Sequence, residues 1–481
     1  MSLNDNISTV YFLGIGGIGM SALARYFSHM RLKVAGYDRT PSAITDTLSM
    51  EGIDVHFSDL GPAVSRYVDT PGNTLVILTP AVPDDHNELL WLRKNHYRIV
   101  KRAWVLGQIC LRYHCLAVSG THGKTTVSTM AANILAYTPE KCGAILGGIS
   151  RNFNTNLLLP IENSSWMVTE ADEYDRSFLQ LSPDIAVITS MDADHLDIYS
   201  TYDQVIASFN QFIERIRPEG SLLIKKSVAG QVEIPAHVRK YTYSVSGEAD
   251  FVANDLILDK ESRCYMFRLK TPGGLTPEIK MNYPGILNVE NAIAAGAAAF
   301  LSGAELQAIH AGLENYQGVK RRFDILYKRP GVLYIDDYAH HPEELKAFIT
   351  SVKLLYPDKE ITGIFQPHLY SRTRDFAEEF GLHIVSLSDS YKPDVDFLSP
   401  NVVAFIEALR TNDIHYLFVE ELVEPRMAEL IKIELAKQNH ALEILELHGY
   451  HNITAKQAKE QITYAELFEQ NVTNLSRAFS H

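Results

Sequence analysis

"AVSGTHGKTT", residues 117–126, is the stretch on which the reading of this chain turns. The apolar run "HCLAVSG" leads into it as a strand, and "THGKTTVSTMAANIL" leaves it with helical spacing. A glycine loop that opens a helix gathers backbone N–H groups and the positive end of the helix dipole, which is the environment a phosphate requires. Gly120, Thr121, His122, Gly123, Lys124, Thr125 and Thr126 make up that loop. Lys124 supplies a point charge, and Thr125 offers a hydroxyl suited to Mg²⁺. The spacing is G-x-x-G-K-T, shorter than the usual G-x-x-x-x-G-K-[ST], because Val118 stands where the first glycine would be. A chance Gly-Lys-Thr at a turn is the alternative, and the strand and helix on the correct sides favour phosphate binding.

Upstream, "GIGGIGMSA" is a second glycine-rich turn from strand to helix, with Gly14, Gly16, Gly17, Ile18, Gly19 and Met20 in it and Asp38 ending the next strand, "VAGYD". Taken alone it reads as a dinucleotide fold with Asp38 near a ribose. A chain with both loops is expected to bind two different nucleotides. Downstream, Glu170 ends the strand "SWMVTEAD", and Asp194, His195 and Asp197 follow another strand in "TSMDADHLDIY". Ligands collect at the carboxyl ends of strands in an open parallel sheet, so Glu170 and His195 are expected to converge near Thr125. A carboxylate with phosphates and water suits Mg²⁺, although imidazole is an unusual ligand for it. Asp192 and Asp197 read as solvated loop charges.

Short apolar runs alternate with helical stretches through the first hundred residues, which predicts βαβ units on a parallel sheet with the basic "RKNHYRIVKRAWVLG" at its edge. Residues 220 to 283 are richer in β-branched residues and turns and predict an antiparallel insertion or flank. The helix "NVENAIAAGAAAFLSGA" closes the unit, and "GVKRRFDILYKRPGVLYIDDYAHHP" opens another. Beyond residue 380 the pattern predicts a strand "HIVSL", a helix over 400–411, a strand "IHYLFVE", a helix over 425–438, a strand "ALEILEL" and a terminal helix over 454–478.

At 481 residues, two to four domains are expected. A net charge of -14, from 44 basic and 58 acidic side chains, argues against a nucleic-acid surface. Cys110, Cys115, Cys142 and Cys264 lack metal-ligand spacing and suggest a reducing compartment. The polar start "MSLNDNIST" is no signal peptide, and no apolar run spans a membrane, so a soluble, cytoplasmic protein is expected.

Together, "GIGGIGM", "SGTHGKTT", "EADEYDRSF", "DADHLDIY", "NVENAIAA", "GVKRRF", "DDYAHHP" and "FQPHLYSRTRD" resemble, in order, the Mur ligase family of peptidoglycan synthesis, in the branch that adds L-alanine to UDP-N-acetylmuramate. The resemblance covers about residues 8 to 380. It implies an α/β, three-domain architecture: a Rossmann-like UDP-binding domain over 1–107, a central P-loop ATP-binding domain over 108–322 and a Rossmann-like C-terminal domain over 323–481. The first glycine loop, with Asp38, would then hold the UDP substrate rather than a dinucleotide.

The implied activity is ATP-dependent ligation through an acyl phosphate, with Mg²⁺ or Mn²⁺ held by Thr125, Glu170 and His195. By the same resemblance Lys124, Glu170, His195 and Arg322 are the catalytic set. Asn288 and Asn291 would contact adenine, Arg322 phosphate and Asp337 the ATP ribose, with Tyr338 beside the nucleotide. His341, His368 and Arg372 would face L-alanine. Leu369 departs from a pattern that often has arginine there. Arg321, Arg374 and His340 read equally well as surface ion pairs, and Asn288 as a helix cap.

After "RTRDFAEEF" the expected "D-I-Y-P-A-R-E"-like and "G-A-G-D"-like motifs are missing. Residues 381–481 instead resemble the C-terminal lobe of zinc and manganese ABC-transporter binding proteins, with His448 and His451 in "LHGYHN" as a possible metal pair. A fusion and a divergent third domain are both open at this point. The activities to separate are L-alanine ligation, recycling of a murein tripeptide onto UDP-N-acetylmuramate, and a non-catalytic nucleotide- or metal-binding role. Monomer and homodimer remain open.

Overall fold

The computed structural model describes residues 6–192, 199, 201–259, 261–329, 332–340, 342–359, 361, 400–411, 414–420, 426–447, 470, 473, 474 and 477. Its contacts divide the chain into two units, Met1–Tyr338 with Phe348–Lys359, and Ala339–Ala347 with Glu360–His481.

The first unit contains two main sheets. In the first, β1 (Thr9–Leu13), β2 (Lys33–Tyr37), β3 (Asp54–His56), β4 (Thr74–Leu78) and β5 (Arg98–Lys101) lie parallel in the order β3-β2-β1-β4-β5. The basic stretch is indeed at an edge. β1 reads "TVYFL" and is buried from end to end, as a strand covered on both faces must be. Helices α1 (Ile18–His29), α2 (Ala43–Met50), α3 (Asn87–Lys94) and α4 (Arg102–Cys110) flank it. α1 buries Met20, Leu23, Tyr26 and Phe27 in the cluster that holds Val10 and Phe12. The N-terminus of α3 is capped from a distance: Asp59 accepts from the N–H of Asn87 at 2.9 Å and of Glu88 at 3.1 Å.

The second sheet is built from β6 (His114–Ser119), β7 (Cys142–Ser150), β8 (Thr155–Leu158), β9 (Trp166–Glu170), β10 (Ile185–Ile188), β11 (Ser221–Lys225), β12 (Arg239–Ser244), β13 (Phe251–Asp259), β14 (Cys264–Thr271), β15 (Gly274–Leu275) and β16 (Ile279–Met281). Its order is β15-β14-β13-β12-β11-β10-β6-β9-β7-β8, with β16 also on β14. The antiparallel flank expected over 220–283 starts later. β11 and β12 continue the parallel sheet, and the direction reverses only between β13 and β14. β-branched composition marks strands but does not set their direction; the crossover through α6 (Tyr202–Glu214) keeps β11 parallel to β10.

α5 (Lys124–Leu135), α7 (Ile286–Leu301) and α8 (Leu306–Glu314) contribute to one buried cluster. The alanines of "AIAAGAAA" in α7 leave little side chain between helices, and Asn133 of α5 donates to Gly312 O of α8 at 2.6 Å. Asn156 of β8, fully buried, joins the two sheets' layers. Its Nδ2 donates to Ile18 O of α1 at 2.6 Å, and its Oδ1 accepts from Arg25 at 2.7 Å. The unit ends in an antiparallel hairpin, β17 (Asp324–Arg329) and β18 (Val332–Asp336). Helix α9 (Pro342–Leu355) follows, and from Phe348 on it counts with this unit, the Phe348 ring standing 5.4 Å from Phe323.

In the second unit, β19 (Tyr416–Glu420) and β20 (Glu443–Leu447) pair in parallel beside α10 (Pro400–Thr411) and α11 (Arg426–Lys437). Val402, Phe405, Ile406, Leu409, Ile431, Leu435 and Leu442 form their core. These elements match the strands and helices expected from 400 to 447. The expected strand "HIVSL" and most of the terminal helix lie outside the described residues.

Candidate active site at the phosphate loop

β6 ends at Ser119 in the middle of the second sheet, and α5 begins at Lys124. Between them Gly120 has φ +131° and Gly123 +81°, both in the left-handed region where glycine carries no Cβ penalty. The loop is tied to the end of β10. Thr189 Oγ1 donates to Ser119 O at 3.1 Å and to His122 O, and His122 N donates to Ser190 Oγ at 2.8 Å. Thr121 Oγ1 shares a hydrogen bond of 2.8 Å with Ser190 Oγ and donates to Asp192 at 3.1 Å. Asp192 is exposed, as expected of a solvated charge, and also supports the loop, with His122 Nε2 3.4 Å from it. No described side chain caps α5 at Gly123, so its first N–H groups face the loop.

Lys124 Nζ donates to Gly120 O at 2.7 Å and to Glu173 Oε1 and Oε2 at 2.8 and 2.9 Å. Both side chains are enclosed, Lys124 16% and Glu173 1% exposed. Burial works to lower the ammonium's pKa, and the Glu173 carboxylate with Asp172 behind it outweighs that and holds Lys124 charged. Glu173 is the residue that sequence reasoning missed. It was visible in "EADEYD" as the second glutamate, three residues after Glu170, but no spacing rule pairs it with Lys124. Its backbone carbonyl accepts from the buried Tyr199 hydroxyl, and Asp175 and Arg176 follow with φ of 51° and 53° in a 3-10 segment, Tyr174–Gln180.

Glu170 ends β9, beside β6 and β7. Its Oε1 accepts from Gly147 N at 2.8 Å and from Ser128 Oγ at 3.3 Å, and Ser128 Oγ also donates to Thr125 O at 3.1 Å. The first turn of α5 and the end of β9 are thus bridged through one serine. A Cβ on Gly147 would lie 2.3 Å from Glu170 Oε2, so the carboxylate occupies space that only glycine leaves. A threonine hydroxyl and a carboxylate are hard oxygen donors that fit Mg²⁺. Among the described residues no group of three His, Cys, Asp or Glu would hold a metal alone, so phosphate and water oxygens would have to complete its shell. His195 lies outside the described residues, as do Asp194 and Asp197.

On α7, Asn291 faces the loop: a Cβ on Gly123 would meet its Oδ1 at 2.8 Å. Asn291 Nδ2 donates to Asn288 Oδ1 at 3.2 Å, and Asn288 Nδ2 to Pro284 O at 2.6 Å. Gly285, not Asn288, is the N-cap residue of α7. The Arg321 and Arg322 guanidinium carbons lie 5.0 and 5.4 Å from the centre of the Tyr338 ring, and Asp337 accepts from Phe323 N at 2.6 Å. Arg321 stands 3.7 Å from Asp336, and His340 3.6 Å from Glu344, the ion-pair reading for both. His341, His368, Arg372 and Arg374 lie outside the described residues, as do Leu369, His448 and His451.

At the first glycine loop Asp38 accepts from Gly16 N at 2.7 Å and from Thr40 N at 3.2 Å, so it braces the loop itself. Met20 is buried under it. Arg102, read in the sequence only as part of the basic edge stretch, packs against Gly19, where a Cβ would meet its Nη1 at 2.6 Å, and lies 3.9 Å from Asp172. A cavity of about 310 Å³ opens here, lined by Thr79, Lys101, Arg102, Asp172 and Tyr174 among others. Its lining comes from both sheets, between one loop and the other. The arrangement can hold two phosphorylated ligands on separate helix N-termini.

Three family models match along the chain: "Mur ligase family, catalytic domain" over residues 9–114, "Mur ligase middle domain" over 118–299 and "Mur ligase, glutamate ligase domain" over 321–442. The last runs through residue 380, so the break placed there and the transporter-lobe resemblance find no support. The chain is 45% identical over 391 residues, 81% of its length and 84% of the relative's, to a UDP-N-acetylmuramate--L-alanine ligase of Parabacteroides distasonis. It is 46% identical over 387 residues, 80% of this chain and 84% of the relative, to that of Porphyromonas gingivalis. A UDP-N-acetylmuramate-alanine ligase structure from Thermotoga maritima superposes with TM-score 0.66 at 23% identity, covering 98% of this chain and 99% of that one. A murein peptide ligase from Psychrobacter arcticus gives 0.63 at 20%, covering 97% and 98%.

Proposed function

Since the chain belongs to the Mur ligase family, we propose that it joins L-alanine to the carboxylate of UDP-N-acetylmuramate with ATP as the energy source, a step of peptidoglycan synthesis. What carries this reading is the 45% identity over 81% of the chain to ligases named for that reaction. A carboxylate does not acylate an amine, because its leaving group would be oxide. Transfer of the γ-phosphoryl of ATP onto it gives an acyl phosphate and ADP. The L-alanine amine then attacks the carbonyl, and the tetrahedral intermediate collapses with loss of phosphate and a proton.

The residues divide this work by place. The first turn of α5 and Lys124 take the ATP phosphates, and Thr125 with Glu170, and His195 from outside the described residues, would hold Mg²⁺. The metal would neutralise charge on the transferring phosphoryl group. Asn288 and Asn291 are proposed for adenine, Arg322 for phosphate, and Asp337 with Tyr338 for the ribose side; the Tyr338 ring already carries both guanidinium groups. Gly14 to Met20 with Asp38 are assigned to the UDP diphosphate, and His341, His368 and Arg372 to L-alanine. Domain limits of 1–107, 108–322 and 323–481 go with this assignment. No helix among the described residues is long and apolar enough to cross a membrane, and a cytoplasmic enzyme is proposed.

The test is mass-spectrometric detection of UDP-N-acetylmuramoyl-L-alanine, with phosphate release that requires UDP-N-acetylmuramate, L-alanine and ATP together. Product with a murein tripeptide and none with L-alanine would move the chain to the recycling branch. Absence of both products with every substrate saturating would refute the reading.

A further inference from the structure

The Lys124 ammonium has three N–H donors, and the protein already fills them: Gly120 O at 2.7 Å and the two Glu173 oxygens at 2.8 and 2.9 Å. A phosphate oxygen therefore reaches this ammonium by replacing an acceptor or sharing a donor with one. Gly120 O belongs to the loop backbone, whose next-door carbonyl at Ser119 is pinned by Thr189. Glu173 supplies the other two acceptors and is an anion, as the phosphate is. The exchange that conserves charge is anion for anion, with phosphate taking the ammonium from Glu173.

We propose that Glu173 is a positioning residue that occupies Lys124 while the loop is empty and yields it to the incoming nucleotide phosphate, so that this carboxylate sets nucleotide affinity. The inference rests on the phosphate-loop reading above and adds a competitor to it. Glu173 is placed for that role from three sides. Tyr199 donates its hydroxyl to the Glu173 carbonyl. Two left-handed residues, Asp175 and Arg176, turn the chain directly behind it. Phe178 packs face to face with Phe212, ring centres 4.8 Å apart, and its N–H donates to Asp172 O at 2.9 Å, which fixes the segment's far end. The backbone at Glu173 is held, so the lysine, on its flexible four-carbon stem, is the partner that moves. Burial meanwhile lifts the Glu173 carboxyl above the usual carboxylate range, which makes it a strained anion to keep beside a triphosphate.

A purely structural ion pair and a competing one differ in sign. If Glu173 only supports the loop, removing its charge weakens nucleotide binding; if it competes, binding tightens. Calorimetry of the full chain with ATP and with ADP, on wild type, Glu173→Gln and Glu173→Asp, separates them. The expected result is a fall of about fivefold or more in both dissociation constants for Glu173→Gln, a smaller fall for Glu173→Asp, and a lower KM for ATP with kcat not raised. In a Lys124→Met background the further change Glu173→Gln is expected to give no tightening. Unchanged or weaker binding in folded Glu173→Gln, or equal tightening without Lys124, overturns the proposal. Should Glu173→Gln fail to fold, the Glu173→Asp result decides by the same sign. Wild-type protein that binds neither ATP nor ADP would instead overturn the phosphate-loop reading itself.

Discussion

Replacing Gly147 by alanine should leave the fold in place and remove most of the ligase activity. Gly147 does not have a left-handed φ, so alanine fits its backbone without strain. The difficulty is spatial: the new Cβ would lie 2.3 Å from Glu170 Oε2, 2.5 Å from Oε1 and 2.6 Å from Cδ. An unstrained approach is about 3.5 Å, so the carboxylate must retreat by about 1 Å. It is the far end of a flexible side chain on the partly exposed end of β9, so re-seating it with loss of the Gly147 N–H bond costs about 1–2 kcal/mol. That is a fall of a few degrees in the melting temperature. A misplacement of about 1 Å at a group that positions the reacting centre lowers rate by about 10²-fold, equivalent to about 2.7 kcal/mol of barrier. The assay is steady-state product formation with ATP saturating, repeated across a Mg²⁺ series, beside thermal melts of both proteins. The expected outcome is kcat down about a hundredfold with circular dichroism unchanged and a higher Mg²⁺ requirement. A kcat within about threefold of wild type in the folded variant would refute the assignment of Glu170 to the reacting centre.

Gly120→Ala is expected to do the opposite damage, because φ is +131° and a Cβ would stand 2.2 Å from Thr189 Oγ1 and 2.8 Å from the Ser190 backbone N. The loop must move as a whole, and a melting temperature lowered with ATP affinity reduced at least about tenfold by calorimetry is the predicted pair of results. Acid should weaken the first sheet. The Thr9 and Ser8 hydroxyls hold Asp69 below its ordinary value, and at Asp59 burial pushes upward but the Asn87 and Gly61 donors outweigh it. Both carboxyls are depressed in the folded chain, so the stability they contribute is present above the unfolded value of about 3.9 and is lost as pH falls through their folded values. Urea unfolding of wild type against Asp59→Asn between pH 6 and 3 should show wild-type stability falling with acid and the difference between the two shrinking. A difference constant with pH would contradict the capping role.

Much of the first unit was legible because its signals are local. A buried parallel strand such as "TVYFL" is almost wholly apolar, and a glycine turn between strand and helix is read from composition alone. Strand direction was not legible over 220–283, since β11 takes its direction from β10, which lies outside that stretch. The site divides the same way. Lys124 and Thr125 stand in one motif, and Glu170 could be reached from its place at a strand end. Glu173 could not, because its meaning comes from Tyr199 and a left-handed pair that fold it under the loop. Asp38 shows the converse: its position at the end of β2 suggested a ribose, while its oxygens are engaged by the Gly16 N–H of the first glycine loop and the Thr40 N–H of its own loop.

The margins of the two sheets bear on how this protein behaves when concentrated. An outermost strand exposes a row of unsatisfied amides that invites a neighbouring chain to extend the sheet. Here the outer strands are brief: three residues in β3 and four in β5 on the first sheet, four in β8 and two in β15 on the second. β8 is moreover shielded by α1, through the Asn156 bonds. An eleven-stranded sheet of this breadth would otherwise be a template for aggregation. With such stubby, shielded borders the folded first unit has little to offer an intermolecular strand, and clumping on mild heating should follow local opening of these borders rather than precede it.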